Sequence, residues 1–506
     1  MIDPTTDIAS PHILRLTNVE KKLSAVCDTS TQGDLEQACV YMEAAGQELR
    51  VQGVLPHDDI DLWVAFGKHL VFMGVFPVRV GLLKQLLALH PWDAVTHSHL
   101  LLCQHFIPGF SSEKLAFQHR RWGTLHGVSP EKLVPYPHER NPDRSLRIGY
   151  ISGDFCSHSV AYFIEAILEG HNRRDVSVWG YGHIREPDAV TARIQAACDH
   201  YRDITEESDD QVDGWIREDR IDVLVDLSGH TEGRRLEVFV RRPAPVQVSY
   251  LGYPDTTGLE QMNYRLTDSW TDDSQSQEYY TETLVFLEGG FLCYRPPGLV
   301  LPVQPSPVLR RKKITFGSFN DSSKINTAVL DLWSRVLVAV PGAGLLLKFR
   351  GGDSDRVSNH FLRQFQRRGI DPGRIQIVGW LPQEQHLALY NEIDVVLDTF
   401  PYNGTTTTCE ALWMGVAVIS LVGTHHVSRV GLSLLNQVGL EFFAAQDSCA
   451  YVAKAAALAS KPEALATLRE SMRNRLLRSL LCDKVGFVRR VEKAYREMWQ
   501  HWCKTQ

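Results

Sequence analysis

The chain has 506 residues, 44% of them hydrophobic and 22% charged, with a formal net charge of -7. That length exceeds one core and implies two or three domains. The charge balance excludes a broadly basic nucleic-acid surface, although a local basic patch stays open. Ten cysteines (27, 39, 103, 156, 198, 293, 409, 449, 482 and 503) are scattered without a CxxC. This argues against a zinc site or a disulfide framework and for a reducing compartment. The opening "MIDPTTDIASPH" has no basic-then-apolar leader, and no apolar run reaches the ~20 residues of a membrane span. The expectation is a cytoplasmic protein with no membrane and no nucleic-acid partner.

Residues 1–133 read as all-helical. "GDLEQACVYMEAAGQEL", "DIDLWVAFGKHLVFMG", "VRVGLLKQLLAL", "DAVTHSHLLLCQHF" and "SEKLAFQHRRWGTLHG" carry apolar residues at helical spacing, and Pro or Gly separates most of them. Consecutive helices with short connections form antiparallel pairs or a degenerate repeat array. "HPWDAVTHSHL" is similar to the second half of a tetratricopeptide unit, so the region is tetratricopeptide-like; it shows no clean repeat period. "VPYPHERNPDRS" (134–145) is a polar, proline-bearing linker.

From 146 to 294 the pattern changes. "LRIGYIS", "VSVWGYG", "IDVLVDLSG", "PVQVSYLGY" and "YRLTD" are short apolar runs, several of them separated by helix-length segments. Strand–helix alternation predicts a mostly parallel sheet covered on both faces. The Pro-rich "RPPGLVLPVQPSPVLRRKK" (295–313) is an interdomain connector. A second strand–helix series fills 314–480: "ITFGSFN", "GLLLKFR", "IQIVGW", "IDVVLDT", "VAVISLVG". Residues 481–506 form an amphipathic helix expected to pack back on the catalytic lobes. The fold class is therefore α/β, with two facing Rossmann-like lobes after a helical region. Ligands of such sheets bind outside the carboxyl ends of the strands.

The polar residues cluster at those ends. "DTFPYNGTTTTCE" follows a strand, and Asn403-Gly404 makes the turn. Four consecutive threonines suit neither a helix interior nor a half-buried strand. One threonine suffices as an N-cap; four, Thr405 to Thr408, fit a phosphate cradle at a helix start. Glu410 can accept from a ribose diol, or simply suits the helix dipole. Lys324, in "FGSFNDSSKI", can hold a diphosphate as a compact charge. In the first lobe, "GYISGDFCSHSVAYFIE" carries Asp154 and His158, a helix cap or a general base. "LVDLSGHTEGRR" carries Gly229 and His230, and "YLGYPDTTG" carries Pro254 and Thr256. Such loops also serve as simple turns. No GxGxxG follows the first strand and no GxxxxGK[ST] occurs, which disfavours a dinucleotide dehydrogenase and a P-loop NTPase. "DSD" (353–355) and "TDDS" (271–274) read as solvated loops rather than metal sites. Without a metal, a leaving diphosphate would be stabilised by lysine and a helix N-terminus.

The words "RIGYISGDFCSHSVAYFIE", "LVDLSGHTEG", "RPAPVQVSYLGYPDTTG", "TFGSFNDSSKI", "LDTFPYNGTTTTCEALWMG" and "SRVGLSLLNQVG" occur in this order. Over residues 147 to about 500 the chain resembles the catalytic region of the O-GlcNAc transferase / SPINDLY family of protein O-glycosyltransferases. The resemblance implies the B-type glycosyltransferase fold. It implies inverting, metal-independent transfer from a nucleotide sugar to Ser/Thr hydroxyls, with no cofactor and with protein or peptide acceptors docked by the helical region. By motif, Lys324 and His158 are the catalytic candidates, Lys324 stabilising the leaving nucleotide and His158 lying near sugar and acceptor. Thr405, Thr406 and Thr407 would contact phosphates and Glu410 the ribose. His386 would lie on the nucleoside side, with Asn320 and Gly404 among the donor-binding set. Asp154, Gly229, His230, Pro254 and Thr256 fall on the sugar and acceptor side. The short connector and Thr405, where animal members of the family place a histidine against uracil, depart from the animal pattern. The wording is nearer the SPINDLY form, and the donor stays GDP-fucose or UDP-GlcNAc. The alternatives are a nucleotide-binding helical scaffold with a decayed site, or a transferase with a non-protein acceptor.

Overall fold

The computed structural model describes residues 76–127 and 135–505. The helices expected at 33–49 and 59–74 lie outside them. Three described helices, Phe76–Leu89, Ala94–Gln104 and Ser112–His126, follow one another with short turns. Asp93 caps the second by accepting from Val95 N and Thr96 N, and Ser111 caps the third through Lys114 N. These caps satisfy amides that the helices leave unpaired.

Two all-parallel sheets follow. The first orders its strands β3-β2-β1-β4-β5-β6-β7, with β1 Leu146–Ser152, β2 Val176–Gly182, β3 His200–Asp203, β4 Val223–Asp226, β5 Val246–Ser249, β6 Tyr264–Thr267 and β7 Thr283–Phe286. The second orders β10-β9-β8-β11-β12-β13, with β8 Thr315–Ser318, β9 Gly344–Lys348, β10 Ile375–Val378, β11 Val395–Leu397, β12 Ala417–Leu421 and β13 Ala444–Ala445. Central strands β4, β5 and β11 are buried at every residue, as a sheet covered on both faces requires. Edge strands β3 and β7 are only partly buried. They carry no long apolar run, and no sequence pattern marked them.

Each sheet has a switch point where the winding reverses: between β1 and β4 in the first, between β8 and β11 in the second. The carboxyl ends of the two sheets meet. Ser433 Oγ donates to Asp268 Oδ2, and Arg429 Nε donates to the Trp270 carbonyl. His426 Nδ1 lies 2.7 Å from Asp272 Oδ2. Burial would raise the Asp272 carboxyl, but His426 holds it well below its ordinary value. The C-terminal helix Lys484–Thr505 returns to the first lobe: Glu492 pairs with His171, and Trp499 Nε1 donates to the Asn141 carbonyl.

The helical region is fused to the first lobe, with no space for side chains where they cross. A Cβ on Gly123 would lie 1.9 Å from the Gly258 carbonyl oxygen, and Gly258 itself sits at φ +75°. Beside this contact, His119 Nε2 and His105 Nε2 both reach the Tyr253 hydroxyl, at 2.6 and 3.1 Å. Asp255 is near as well, 3.7 Å from His105. The Tyr253 hydroxyl fills the space among these groups as a buried hydrogen-bond hub.

Two glycines of this region make opposite predictions. Gly81 lies in a helix with nothing within 4 Å of a would-be Cβ, so Gly81→Ala should stabilise by about 0.5–1 kcal/mol. Gly123→Ala drives a methyl into backbone and should destabilise by at least about 1–3 kcal/mol. Thermal unfolding reads both; equal melting temperatures would refute the direct backbone contact.

Candidate active site

The loops that leave β8 and β11 cross at the switch point of the second sheet. Asp398 ends the β11 segment and organises its loop. Its Oδ1 accepts from Thr399 N (2.9 Å) and Gly404 N (2.8 Å), and its Oδ2 accepts from Ser420 Oγ (2.7 Å). Burial raises this carboxyl to about 6. The loop then enters the helix Thr406–Trp413, whose first intrahelical bond runs from Cys409 N to Thr405 O (3.1 Å). The amides of Thr406 to Thr408 therefore have no partner within the helix and point out of its start.

The four threonines have different roles. Thr405 occupies the cap position without a side-chain cap bond. Thr406 Oγ1 is buried and has no hydrogen-bond partner among the described residues. Thr407 Oγ1 donates to Asn320 Oδ1 (3.1 Å), which ties the helix start to the β8 loop. Thr408 Oγ1 donates to the Gly404 carbonyl (3.0 Å) and is committed to its own turn.

Lys324 joins the two loops. Its Nζ donates to the Asn403 carbonyl (2.9 Å), lies 3.5 Å from Asn320 Oδ1, and sits 4.3 Å over the Tyr402 ring. Burial pushes its ammonium down to about 8, although Asp398 and Asp321 pull upward. Desolvation disfavours the charged amine, and the carboxylate charges favour it. All Asp398 oxygens are taken by other donors, so the ammonium has only neutral acceptors in contact. Such a cation is set for an anion. Lys348, at the end of β9, is also lowered by burial, and the Glu410 charge opposes the shift.

Glu410 and His386 form one buried pair, with Nε2 and Oε2 2.9 Å apart. His386 Nδ1 has no partner among the described residues. The Phe319 ring lies 5.8 Å from that of His386. This is a flat-walled corner with a carboxylate and an imidazole, next to the helix start.

Across the cleft, Asp154 and His158 follow β1. His158 Nδ1 lies 3.4 Å from Asp154 Oδ1, and the imidazole is 47% exposed. Burial raises the Asp154 carboxyl. Nδ1 accepts from the Val160 amide at 3.4 Å, which leaves Nε2 as the exposed ring nitrogen.

Four expected rim residues are turned into the scaffold. His230 is fully buried, with Nδ1 at 2.9 Å from Ser98 Oγ and Nε2 at 2.9 Å from the Thr257 carbonyl. It is a strut between helical region and lobe, and has no nitrogen left for a substrate. Thr256 is equally buried; its hydroxyl donates to Glu282 Oε2 (2.5 Å). Gly229, at φ +53°, donates its amide to Asp226 Oδ2 (2.9 Å), and a Cβ there would strike the Tyr253 side chain at 2.3 Å. Pro254 is buried in the same loop. The residues missed from sequence are Asp398, Tyr402 and Lys348. An acid directly after a buried strand was the available signal for Asp398.

The model of glycosyl transferase family 41 matches residues 124–294 and 295–491. A Petunia hybrida protein named probable UDP-N-acetylglucosamine–peptide N-acetylglucosaminyltransferase SPINDLY is 40% identical over 408 residues, which is 80% of this chain and 44% of that one. Its Arabidopsis thaliana counterpart is 39% identical over 411 residues, 80% and 45% of the two chains. The chain thus spans less than half the length of these curated relatives. Among solved structures, a lysine-to-methionine mutant of the Thermobaculum terrenum O-GlcNAc transferase superposes with a TM-score of 0.84 at 32% identity, covering 97% of this chain and 99% of that one.

The cradle makes a prediction that needs no donor. Inorganic pyrophosphate at saturating concentration should raise the melting temperature, by binding the folded state alone. Lys324→Ala should reduce the rise. A rise of undiminished size in the variant would move the anion site elsewhere.

Proposed function

The chain belongs to glycosyl transferase family 41, and from that premise we propose that it is a protein O-glycosyltransferase. It moves a sugar from a nucleotide-sugar donor, GDP-fucose or UDP-GlcNAc, to Ser or Thr hydroxyls. The observation that carries this reading is Lys324: a desolvated ammonium beside the open start of the helix Thr406–Trp413, at the switch point of the second sheet.

The reaction balances with these groups. The acceptor oxygen attacks the anomeric carbon from the face opposite the diphosphate. The bond from that carbon to the phosphate oxygen breaks, its electron pair leaves on the nucleoside diphosphate, and the anomeric configuration inverts. Lys324 and the amides of Thr406 to Thr408 stabilise the charge that develops on the leaving group, which lets the step proceed without a metal. The acceptor proton passes to solvent or to the exposed imidazole of His158, which stands beside Asp154. The Glu410–His386 pair, 2.9 Å apart beside the helix start, would meet the nucleoside.

The test is turnover of each donor with peptide acceptors, in chelator, alongside calorimetric binding of UDP and GDP. Lys324→Ala should lower kcat by roughly 10²–10³-fold while donor affinity changes by less than about tenfold. Equal losses in both would make Lys324 a uniform binding residue. The active form is the protonated lysine, whose value is about 8. Wild-type kcat/KM should therefore hold below pH 8 and fall as the pH rises through it. A profile flat from pH 7 to 9 would remove the Lys324 charge from the mechanism.

A further inference from the structure

The helical region meets the second lobe at an aromatic stack. Phe106, in the turn after the helix Ala94–Gln104, stacks on Tyr402 with ring centroids 4.7 Å apart and planes 20° from parallel. Lys324 Nζ lies 4.3 Å over the same Tyr402 ring. A ring stacked that closely occupies one face, so the ammonium takes the other. Tyr402 is thus sandwiched between the helical region and the lysine. Its own backbone is held, since Thr399 Oγ1 donates to the Tyr402 carbonyl (2.7 Å), and Asn403, the next residue, accepts from Lys324.

We infer that Phe106 and Tyr402 are positioning residues that hold Lys324 in place, so that the docked helical region completes the diphosphate site of the second lobe. An ammonium over an aromatic face is attracted by the ring quadrupole, and the ring also keeps water from the amine. Lys324 has just two other contacts that fix its direction, the Asn403 carbonyl and Asn320 Oδ1. Its facing charges, Asp398 and Asp321, attract it without contacting it. A four-carbon stem with three rotatable donors needs such a wall. The neighbours of Phe106 add a route for control. Gln104, His105 and Ile107 line a cavity of about 580 Å³ whose far wall is Phe400, Pro401 and His425. A chain seated there would press on the segment that carries Phe106.

The kinetic part of this inference rests on the transferase reading; the structural part does not. The test therefore reads the amine itself. A pulse of acetic anhydride at a series of pH values, with mass spectrometry of the Lys324 peptide, gives the pH midpoint of its reactivity. Burial is the main cause of the low wild-type value of about 8. Phe106→Ala admits water behind the Tyr402 ring while the ring stays, so the midpoint should rise by about one pH unit. Tyr402→Leu keeps apolar cover and removes the ring's attraction for the ammonium, so the midpoint should fall. Tyr402→Phe keeps the ring and should leave it unchanged. Phe106→Leu keeps apolar bulk and is the folded control, with the wild-type midpoint and an unchanged melting temperature. In turnover, Phe106→Ala should lower kcat about tenfold with donor KM within about threefold.

Folded Phe106→Ala and Tyr402→Leu proteins with wild-type midpoints would overturn the inference, whether or not the wild type turns over. Shifted midpoints in a protein that transfers neither sugar would sustain the positioning role and sink the transferase reading instead.

Discussion

An ammonium held out of water without a contacting carboxylate is the constraint around which this site is arranged. Lys324 could have been neutralised by Asp398, which lies close enough to raise its proton affinity. The fold prevents that contact. Thr399 N, Gly404 N and Ser420 Oγ take the Asp398 oxygens, so the carboxylate shapes a loop and acts on the lysine only through its field. The charge that would complete the site must come from a ligand. The open amides of Thr406 to Thr408 add the same preference from the helix side. Both features arise because loops from β8 and β11 cross at a switch point, where the diverging helices leave room above the sheet.

The first lobe repeats the device. Asp226 ends β4 as Asp398 follows β11, and it accepts from Ser228 N and Gly229 N at 3.0 and 2.9 Å. Burial raises both carboxyls to about 6. A strand-end acid that ties its own loop fixes the loop before any ligand arrives. In the second lobe that loop presents a helix start and, through the Asn403 carbonyl, holds the ammonium of the neighbouring β8 loop. In the first it is overlaid by the helical region, through His230, Ser98 and the Tyr253 hub. The same local chemistry serves an anion site in one lobe and a domain junction in the other.

This explains what the sequence could and could not tell. The position of every candidate at the end of a strand was legible, because strand runs are apolar and continuous and the polar loops interrupt them. The direction of each side chain was not. His230 looked like a rim residue because it follows β4 in a glycine-bearing loop. It is buried because its partner, Ser98, comes from a helix of another region. Thr256 is withdrawn by Glu282 in the same way. The threonine run was legible as a helix start, but the sequence could not tell that Thr408 bonds its own turn while Thr406 remains open. Edge strands β3 and β7 escaped because one-sided burial leaves no apolar run to read.

The two sides of the cleft differ in how firmly they are built. On the second-lobe side the charged groups and Thr407 have fixed partners: Thr407 with Asn320, Glu410 with His386, Lys324 with Asn403. Rigid, pre-oriented groups suit one invariant ligand, since they lose little freedom when it binds. On the first-lobe side His158 is half exposed and meets Asp154 at a loose 3.4 Å. A separate cavity is shared by the helical region and both lobes, between Ser112, Tyr279 and Thr424. A side that must admit many different partners gains from that looseness. Under the proposed transferase reading the fixed side would hold the donor and the looser side the acceptors, a division of labour that would follow the division between the lobes.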